Sequence, residues 1–236
     1  MRNRWNPIFA ELIGTFLFFF IGIGAVRIGA LQGWDPADPA GLIVVALAHG
    51  VVLAVLVSAL AAVSGAHFNP AVTFGVWVAG QIPGRHATQY VIAQLIGGLL
   101  AAWSLLVVFP GQPASVGLPA LGAGVDPLVG LGVEAVLTVV LLIAVFGTAI
   151  DPRAPKVGGL AIGLAVAVDI LMGGPLTGAA MNPARWFGPA GVAQVWDNGL
   201  VWIVGPLLGA ALAALLYRFL LLPEADMDRT PAEPEG

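Results

Sequence analysis

The 236-residue chain contains no cysteine, and Asp, Glu, Lys and Arg together make up only 9% of it. The lack of cysteine excludes disulfides and thiol chemistry, although it does not assign a compartment. The shortage of charge bears more directly on the solvent. A water-soluble domain carries about 25% charged residues, so this chain is not built for water. Histidine is scarce too. His49, His67 and His86 are scattered, and no close pair of acidic groups stands on one helix face. An enzyme therefore has no support in these residues: no catalytic residue, no metal ligand and no cofactor are expected. The net charge is -4, and no nucleic-acid partner is expected. Much of the negative charge sits near the C-terminus, where Glu224, Asp226, Asp228, Glu233 and Glu235 lie among Pro223, Pro231 and Pro234. Residues 223–236 are expected to form a disordered, solvated acidic tail.

Apolar residues dominate instead, at 59% of the chain with a mean hydropathy of +0.96. They gather into runs at 8–30, 41–63, 91–109, 128–150, 157–172 and 199–222. Most approach the roughly 20 residues needed to cross about 30 Å of hydrocarbon. The expected class is an all-α membrane protein with six transmembrane helices. The first run starts early and contains Glu11, which does not suit a cleaved signal peptide. The 32 glycines suit close helix approach in a bilayer. Gly14, Gly22, Gly98, Gly132, Gly163 and Gly209 are candidate crossing points. Arg2, Arg4, Arg85, Arg153, Lys156 and Arg218 fall on alternate connections, with Arg27 the exception near a helix end. The positive-inside rule then puts both termini in the cytoplasm, as an even number of crossings also requires.

The triplet Asn-Pro-Ala occurs twice, at 69–71 and 182–184, and each copy follows a small-residue turn. Glu11 lies in the first apolar run and Glu134 in the fourth. Three spans separate equivalent points, so the second half is inverted relative to the first. Repeat one covers about 8–110 and repeat two about 127–222, within a single membrane domain spanning 1–222. Inverted repeats build their path at the repeat interface from short helices that stop partway through the membrane. The segments opening at Asn69 and Asn182 are too short to cross and are the expected re-entrant half-helices.

Proline is well tolerated at a first helical turn, where its missing N–H has no intrahelical partner anyway. This explains Pro70 and Pro183, with Ala71 and Ala184 following them. Asn69 and Asn182 are expected to cap the half-helices and to leave their amide NH₂ groups free to donate into a pore. Two helix starts meeting at the midplane present positive dipole ends that repel cations. Ala66, His67 and Phe68, with Ala179, Ala180 and Met181, lead into the half-helices as irregular backbone. Such backbone is tolerated at membrane depth where it lines a cavity, so these residues are expected to offer a ladder of pore carbonyls. His67 is expected to brace its loop through a ring nitrogen bonded to backbone.

The two segments 64–73 and 178–185, together with Glu11 and Glu134, resemble the major intrinsic protein family, the aquaporins and aquaglyceroporins. The resemblance covers roughly residues 8–222. It implies an aquaporin-like fold of six tilted helices around two half-helices, assembled as a homotetramer with one pore per subunit. Residues 46–50, 149–152 and 169–175 are most similar to the plant tonoplast-intrinsic group. The resemblance also implies an outer aromatic-arginine filter at His49, Ile170, Ala179 and Arg185. Glu11 and Glu134 then become acceptors for backbone N–H groups near the half-helices. Asp169 stands where the group commonly has asparagine, and is expected to brace the filter loop or His49.

Water-selective members of the family usually place phenylalanine at the position of His49 and a histidine on the fifth helix, while glycerol channels use tryptophan and small residues. The combination here implies an opening wider than a strict water filter and more polar on one side than a glycerol filter. The expected activity is passive conduction of water, with ammonia, hydrogen peroxide or urea as further solutes and with protons and ions excluded. A glycerol-conducting channel and an ion-coupled secondary transporter are the alternatives. The expected partners are small neutral solutes and the lipid bilayer. Short termini and plain loops suit a prokaryotic cell membrane.

Overall fold

The computed structural model describes residues 5–34, 38–155 and 157–221. The acidic tail and the cations Arg2, Arg4 and Lys156 lie outside the described residues. Six helices are long and apolar enough to span a membrane: α1 (Asn6–Leu31), α2 (Pro39–Ser64), α4 (Gly84–Val108), α5 with its C-terminal extension (Pro127–Ile150), α6 (Gly158–Thr177) and α8 with its extension (Leu200–Leu221). Two short helices, α3 (Pro70–Val78) and α7 (Pro183–Ala193), complete the described helices. The extensions of α5 and α8 are π-helical turns, Phe146–Ile150 and Tyr217–Leu221.

Two helices are longer than the apolar runs suggest. The third span starts at Gly84, seven residues before the run at 91. Polar Arg85, His86, Thr88 and Gln89 form its first turns, and hydropathy does not register them. The fifth span continues past Met172 to Thr177 through Gly173, Gly174 and Pro175. Proline and glycine are tolerated there because neighbouring helices in a membrane bundle meet the freed backbone groups.

The packing order carries the inverted repeat. Helix α1 packs on α4 as α5 packs on α8, α1 on α2 as α5 on α6, and α2 and α6 pack on each other. Each short helix leans on a helix of the opposite repeat, α3 on α8 and α7 on α4. Glycines occupy equivalent crossings. A Cβ at Gly50 would lie 2.6 Å from the Gly163 carbonyl oxygen, and one at Gly163 would meet the Gly50 carbonyl in return. Gly97 against Leu12 and Gly209 against Ala135 bring α1 to α4 and α5 to α8. Gly98 admits the Ala184 carbonyl at the α4–α7 crossing. Gly14 and Gly22 admit the rings of Phe68 and His49 instead of a helix backbone, and a Cβ at Gly132 would meet nothing within 4 Å among the described residues.

Start signals repeat as well. Asp38 caps α2 by accepting from the Gly41 N–H at 3.3 Å, and Asp126 caps α5 by accepting from the Leu128 N–H at 2.8 Å. Each is followed by proline, and a carboxylate there also complements the helix dipole. Helices α2 and α6 both end on glycines of positive φ, Gly65 (89°) and Gly178 (78°). These turn the chain back toward the bundle axis, where α3 and α7 begin.

Candidate functional site: a pore through the repeat interface

Asn69 and Asn182 cap α3 and α7. The Asn69 Oδ1 accepts from Ala71 N at 2.8 Å and Val72 N at 3.4 Å, and the Asn182 Oδ1 accepts from Ala184 N at 3.0 Å. Each amide nitrogen reaches across the repeat interface. Asn69 Nδ2 donates to the Met181 carbonyl at 2.9 Å, and Asn182 Nδ2 donates to the Phe68 carbonyl at 3.0 Å. This corrects two expectations. One N–H of each asparagine is committed to protein, which leaves only the second for a pore. The carbonyls of Phe68 and Met181 serve as interface acceptors as well as loop backbone.

Both loops carry non-glycine residues with positive φ in alternation: Ala66 (54°) and Phe68 (50°), Ala179 (43°) and Met181 (50°). Such a residue costs about 1–2 kcal/mol, and buried glutamates offset this. Glu11 accepts from Ser64 Oγ (2.6 Å), His67 N (3.0 Å), Phe68 N (2.7 Å) and Gln94 Nε2 (2.8 Å). Glu134 accepts from Thr177 Oγ1 (2.6 Å), Ala180 N (2.9 Å) and Met181 N (2.6 Å). Successive N–H groups of alternating backbone form a concavity that suits an anion, and each carboxylate occupies one. Aromatic donors close both loops from the third spanning helix of each repeat. Tyr90 Oη donates to the Ser64 carbonyl and Trp202 Nε1 to the Thr177 carbonyl, both at 2.9 Å.

A cavity of about 340 Å³ runs past this junction. Its wall is apolar at Phe18, Leu53, Val72, Leu141 and Val166, and it takes in Gly65, Ala66, His67, Ala179, Ala180 and both asparagines. A second cavity of about 710 Å³ lies between the ends of α1 and α2 and residues 116–120. Four residues line both cavities: His49, Ile170, Ala179 and Arg185. The four positions carried over from the resemblance therefore line the neck where the two cavities meet.

Arg185 is buried, and its Nη1 donates to the Gly117 carbonyl at 2.6 Å. Among the described residues it has no carboxylate partner. His49 Nδ1 lies 2.9 Å from the Val45 carbonyl. A carbonyl can only accept, so Nδ1 carries the hydrogen, and among the described residues the buried Nε2 has no partner. The ring sits over Gly22, where any Cβ would meet it, and edge-on to Phe18.

Two bracing expectations need correction. His67 Nδ1 meets the Thr73 hydroxyl at 3.1 Å, not backbone, and its ring stands edge-on to Tyr90. Asp169 is buried, and among the described residues its Oδ2 has no hydrogen-bond partner, so that oxygen braces neither the filter loop nor His49. Spacing also gave no sign of Gln94, which donates to both Glu11 and Thr73 Oγ1, or of the Gly117 carbonyl. Gln94 in an apolar run was the available signal, since a buried amide in a membrane needs partners.

At the other end, Ala149 and Ile150 of the α5 π-turn line the inner cavity. Asp151 follows immediately. The Arg153 guanidinium donates to it at 2.9 and 2.6 Å and holds its carboxyl down to about 2. The Tyr217 hydroxyl lies 3.3 Å from the same carboxylate, and Arg153 Nη2 also donates to the Leu221 carbonyl at 3.2 Å. The inner mouth is thereby tied to the end of α8.

A family model described as Major intrinsic protein matches residues 1–217. Aquaporin TIP4-4 of Zea mays is 48% identical over 232 residues, covering 97% of this chain and 91% of the relative. Probable aquaporin TIP3-2 of Arabidopsis thaliana is 44% identical over 226 residues, covering 92% and 84%. Both are plant proteins and lend no support to a prokaryotic membrane. The solved aquaglyceroporin from Plasmodium falciparum superposes with a TM-score of 0.84 at 22% identity, covering 94% of this chain and 98% of that one. At that identity the likeness concerns the fold alone. An inverted repeat around paired half-helices, a family match over most of the chain and relatives above 40% identity lead to one assignment: the chain is an integral membrane protein of the major intrinsic protein family.

Proposed function

We propose that the chain is a passive channel that conducts water through each subunit and excludes protons and ions. The observation that carries this reading is the meeting of two asparagine-capped helix starts in the wall of one cavity. Each start presents roughly half an elementary positive charge. A cation arriving there would give up hydration against two like-signed ends. Water loses little, because the carbonyls of Ala66, His67, Ala179 and Ala180 and the second amide hydrogens of Asn69 and Asn182 replace its partners on one side. The facing apolar wall offers none. A single file of water then takes its orientation from the asparagines, and the hydrogen-bonded wire needed for proton hopping is broken at that point. Pore diameter, lining donors and electrostatic barriers are the general basis of aquaporin-type selectivity.

His49, Ile170, Ala179 and Arg185 act as the outer filter in this reading. Arg185 supplies donors and a fixed positive charge, the His49 ring walls one side, and Ile170 and Ala179 limit size without side-chain polar groups. Ammonia, hydrogen peroxide and urea are the further candidate solutes. Glycerol needs polar partners for three hydroxyls, and the side chains on half of this neck supply none. Glu11 and Glu134 hold the loops. Residues 1–222 form one channel domain with repeats at about 8–110 and 127–222. Both termini face the cytoplasm by the distribution of cations, and four copies assemble, as the family resemblance implies.

The test is stopped-flow swelling and shrinking of reconstituted vesicles with water, urea and glycerol, run with and without sodium and proton gradients, beside a His49→Phe variant. A channel gives fast, non-saturating water flow that ignores the gradients, and the bulkier ring narrows the solute range. Dependence on an ion gradient would instead make this a coupled transporter. Glycerol flux in wild type that His49→Phe leaves unchanged would overturn the filter assignment.

A further inference from the structure

Arg27 on α1 is a buried cation whose partners in the described residues are all neutral. Its Nη2 donates to the Ala114 carbonyl at 3.1 Å and its Nη1 reaches Gln112 Oε1 at 3.5 Å. Gln112 Nε2 returns a bond of 2.8 Å to the Arg27 carbonyl. Among the described residues the Nε of Arg27 has no partner. Burying a guanidinium among neutral acceptors is expensive, and the pore mechanism above does not use it. Its effect is to fasten residues 112–114 of the connection between the repeats onto α1.

The same connection is gripped again further along. Ile23, one helical turn from Arg27 on α1, packs where a Cβ of Gly117 would be, and Gly117 has φ +91°. Its far end is held by α6 and the turn after it: Gly122 N donates to the Leu176 carbonyl at 2.9 Å, and Pro119 packs on Gly178. The connection is thus a strap from α1 to α6 across the outer mouth, and Val116, Gly117, Leu118 and Ala120 line the vestibule. Between the anchors, the Gly117 carbonyl holds Arg185.

We propose that Arg27 and Gln112 are positioning residues for the filter: their clamp sets where the Gly117 carbonyl stands, and hence where Arg185 projects into the neck. Arg27 touches neither the lumen nor Arg185. It acts only through the strap. Releasing the clamp lets the strap drift outward and draws Arg185 off the pore axis, so the neck widens for solutes larger than water. This inference rests on the channel reading.

The experiment compares wild type, Arg27→Met, Gln112→Ala and the double variant in reconstituted vesicles. The readout is the ratio of urea permeability to water permeability, with melting temperature measured in detergent. Gln112 is half-buried on a loop and is the variant that spares folding. The ratio is expected to rise at least about threefold in each single variant, with no further rise in the double, as for two members of one interaction. Arg27→Lys keeps the charge but cannot reach both partners, and should fall between wild type and Arg27→Met. A ratio that stays at the wild-type value in folded Gln112→Ala, or variants that lose water and urea flow in proportion, would overturn the clamp. Wild-type vesicles no more water-permeable than empty ones would overturn the channel reading itself, which separates the two failures.

Discussion

Asn69 and Asn182 bond each other's loops. The amide nitrogen of each donates to the carbonyl of the residue before the other, while its amide oxygen caps its own half-helix. One side chain therefore does two jobs that require a donor and an acceptor on the same planar group. Asparagine has both, and aspartate, serine and threonine cannot reproduce the pair at that reach.

Asn69→Asp and Asn182→Asp retain the cap and lose the cross-bond, setting a carboxylate against a buried carbonyl. Each is expected to cost about 1–3 kcal/mol and to abolish most water flow. Melting in detergent and stopped-flow shrinking check this. A variant with wild-type melting and wild-type flow would mean that the interface bond carries nothing.

Glu134→Gln replaces an acceptor-only group with one that must turn an NH₂ toward N–H donors. Glu134 oxygens accept from Ala180 N, Met181 N and Thr177 Oγ1, so at least one bond is lost and one donor faces a donor. The expected loss is roughly 2–3 kcal/mol, seen as a lower melting temperature. The positive-φ turns at Ala179 and Met181 should open first, so hydrogen exchange at Ala180 and Met181 should rise before that at Gly130 of α5.

Gly22→Ala places a methyl against the His49 ring. With Val45 holding Nδ1 from behind, the ring can yield only toward the neck, and urea flow should fall more than water flow. Arg185→Val works in the opposite sense, removing a fixed charge and several atoms from the same neck. Urea and glycerol flow relative to water should rise roughly tenfold, with proton leak visible to a pH dye. Opposite signs in the two variants are the critical outcome, and equal shifts would place the constriction elsewhere.

Asp151 is held below its ordinary range mainly by the Arg153 guanidinium. A depressed carboxyl contributes stability that is present above its unfolded value, near about 4. That stability is lost as pH falls through the folded value of about 2. Wild type should therefore melt higher than Asp151→Asn at pH 7, and the gap should shrink steadily below about pH 4. A gap that persists unchanged at pH 2.5 would show that hydrogen bonding, not charge, ties Asp151 to Arg153 and Tyr217.

Much of this protein was legible in the sequence because the signals are local. Apolar runs of spanning length, Asn-Pro helix starts, and the small-residue turns before them depend on neighbouring residues only. They mark six spans, two half-helices and the duplication. The neck positions were reachable only through the family resemblance, which carries them over from the two triplets. Tertiary structure alone decided who bonds whom. The donors into Met181 and Phe68, the ring of His49 over Gly22, the two hydrogen bonds of Gln94 and those of Arg27 all join residues far apart in the chain. The charge pattern marked Arg27 only as an exception, and the resemblance left Asp169 as an expected brace although among the described residues its Oδ2 has no partner. A polar side chain in a bilayer must find partners wherever the fold brings them within about 3 Å, and that distance is set by how the two repeats close on each other, which no local pattern encodes.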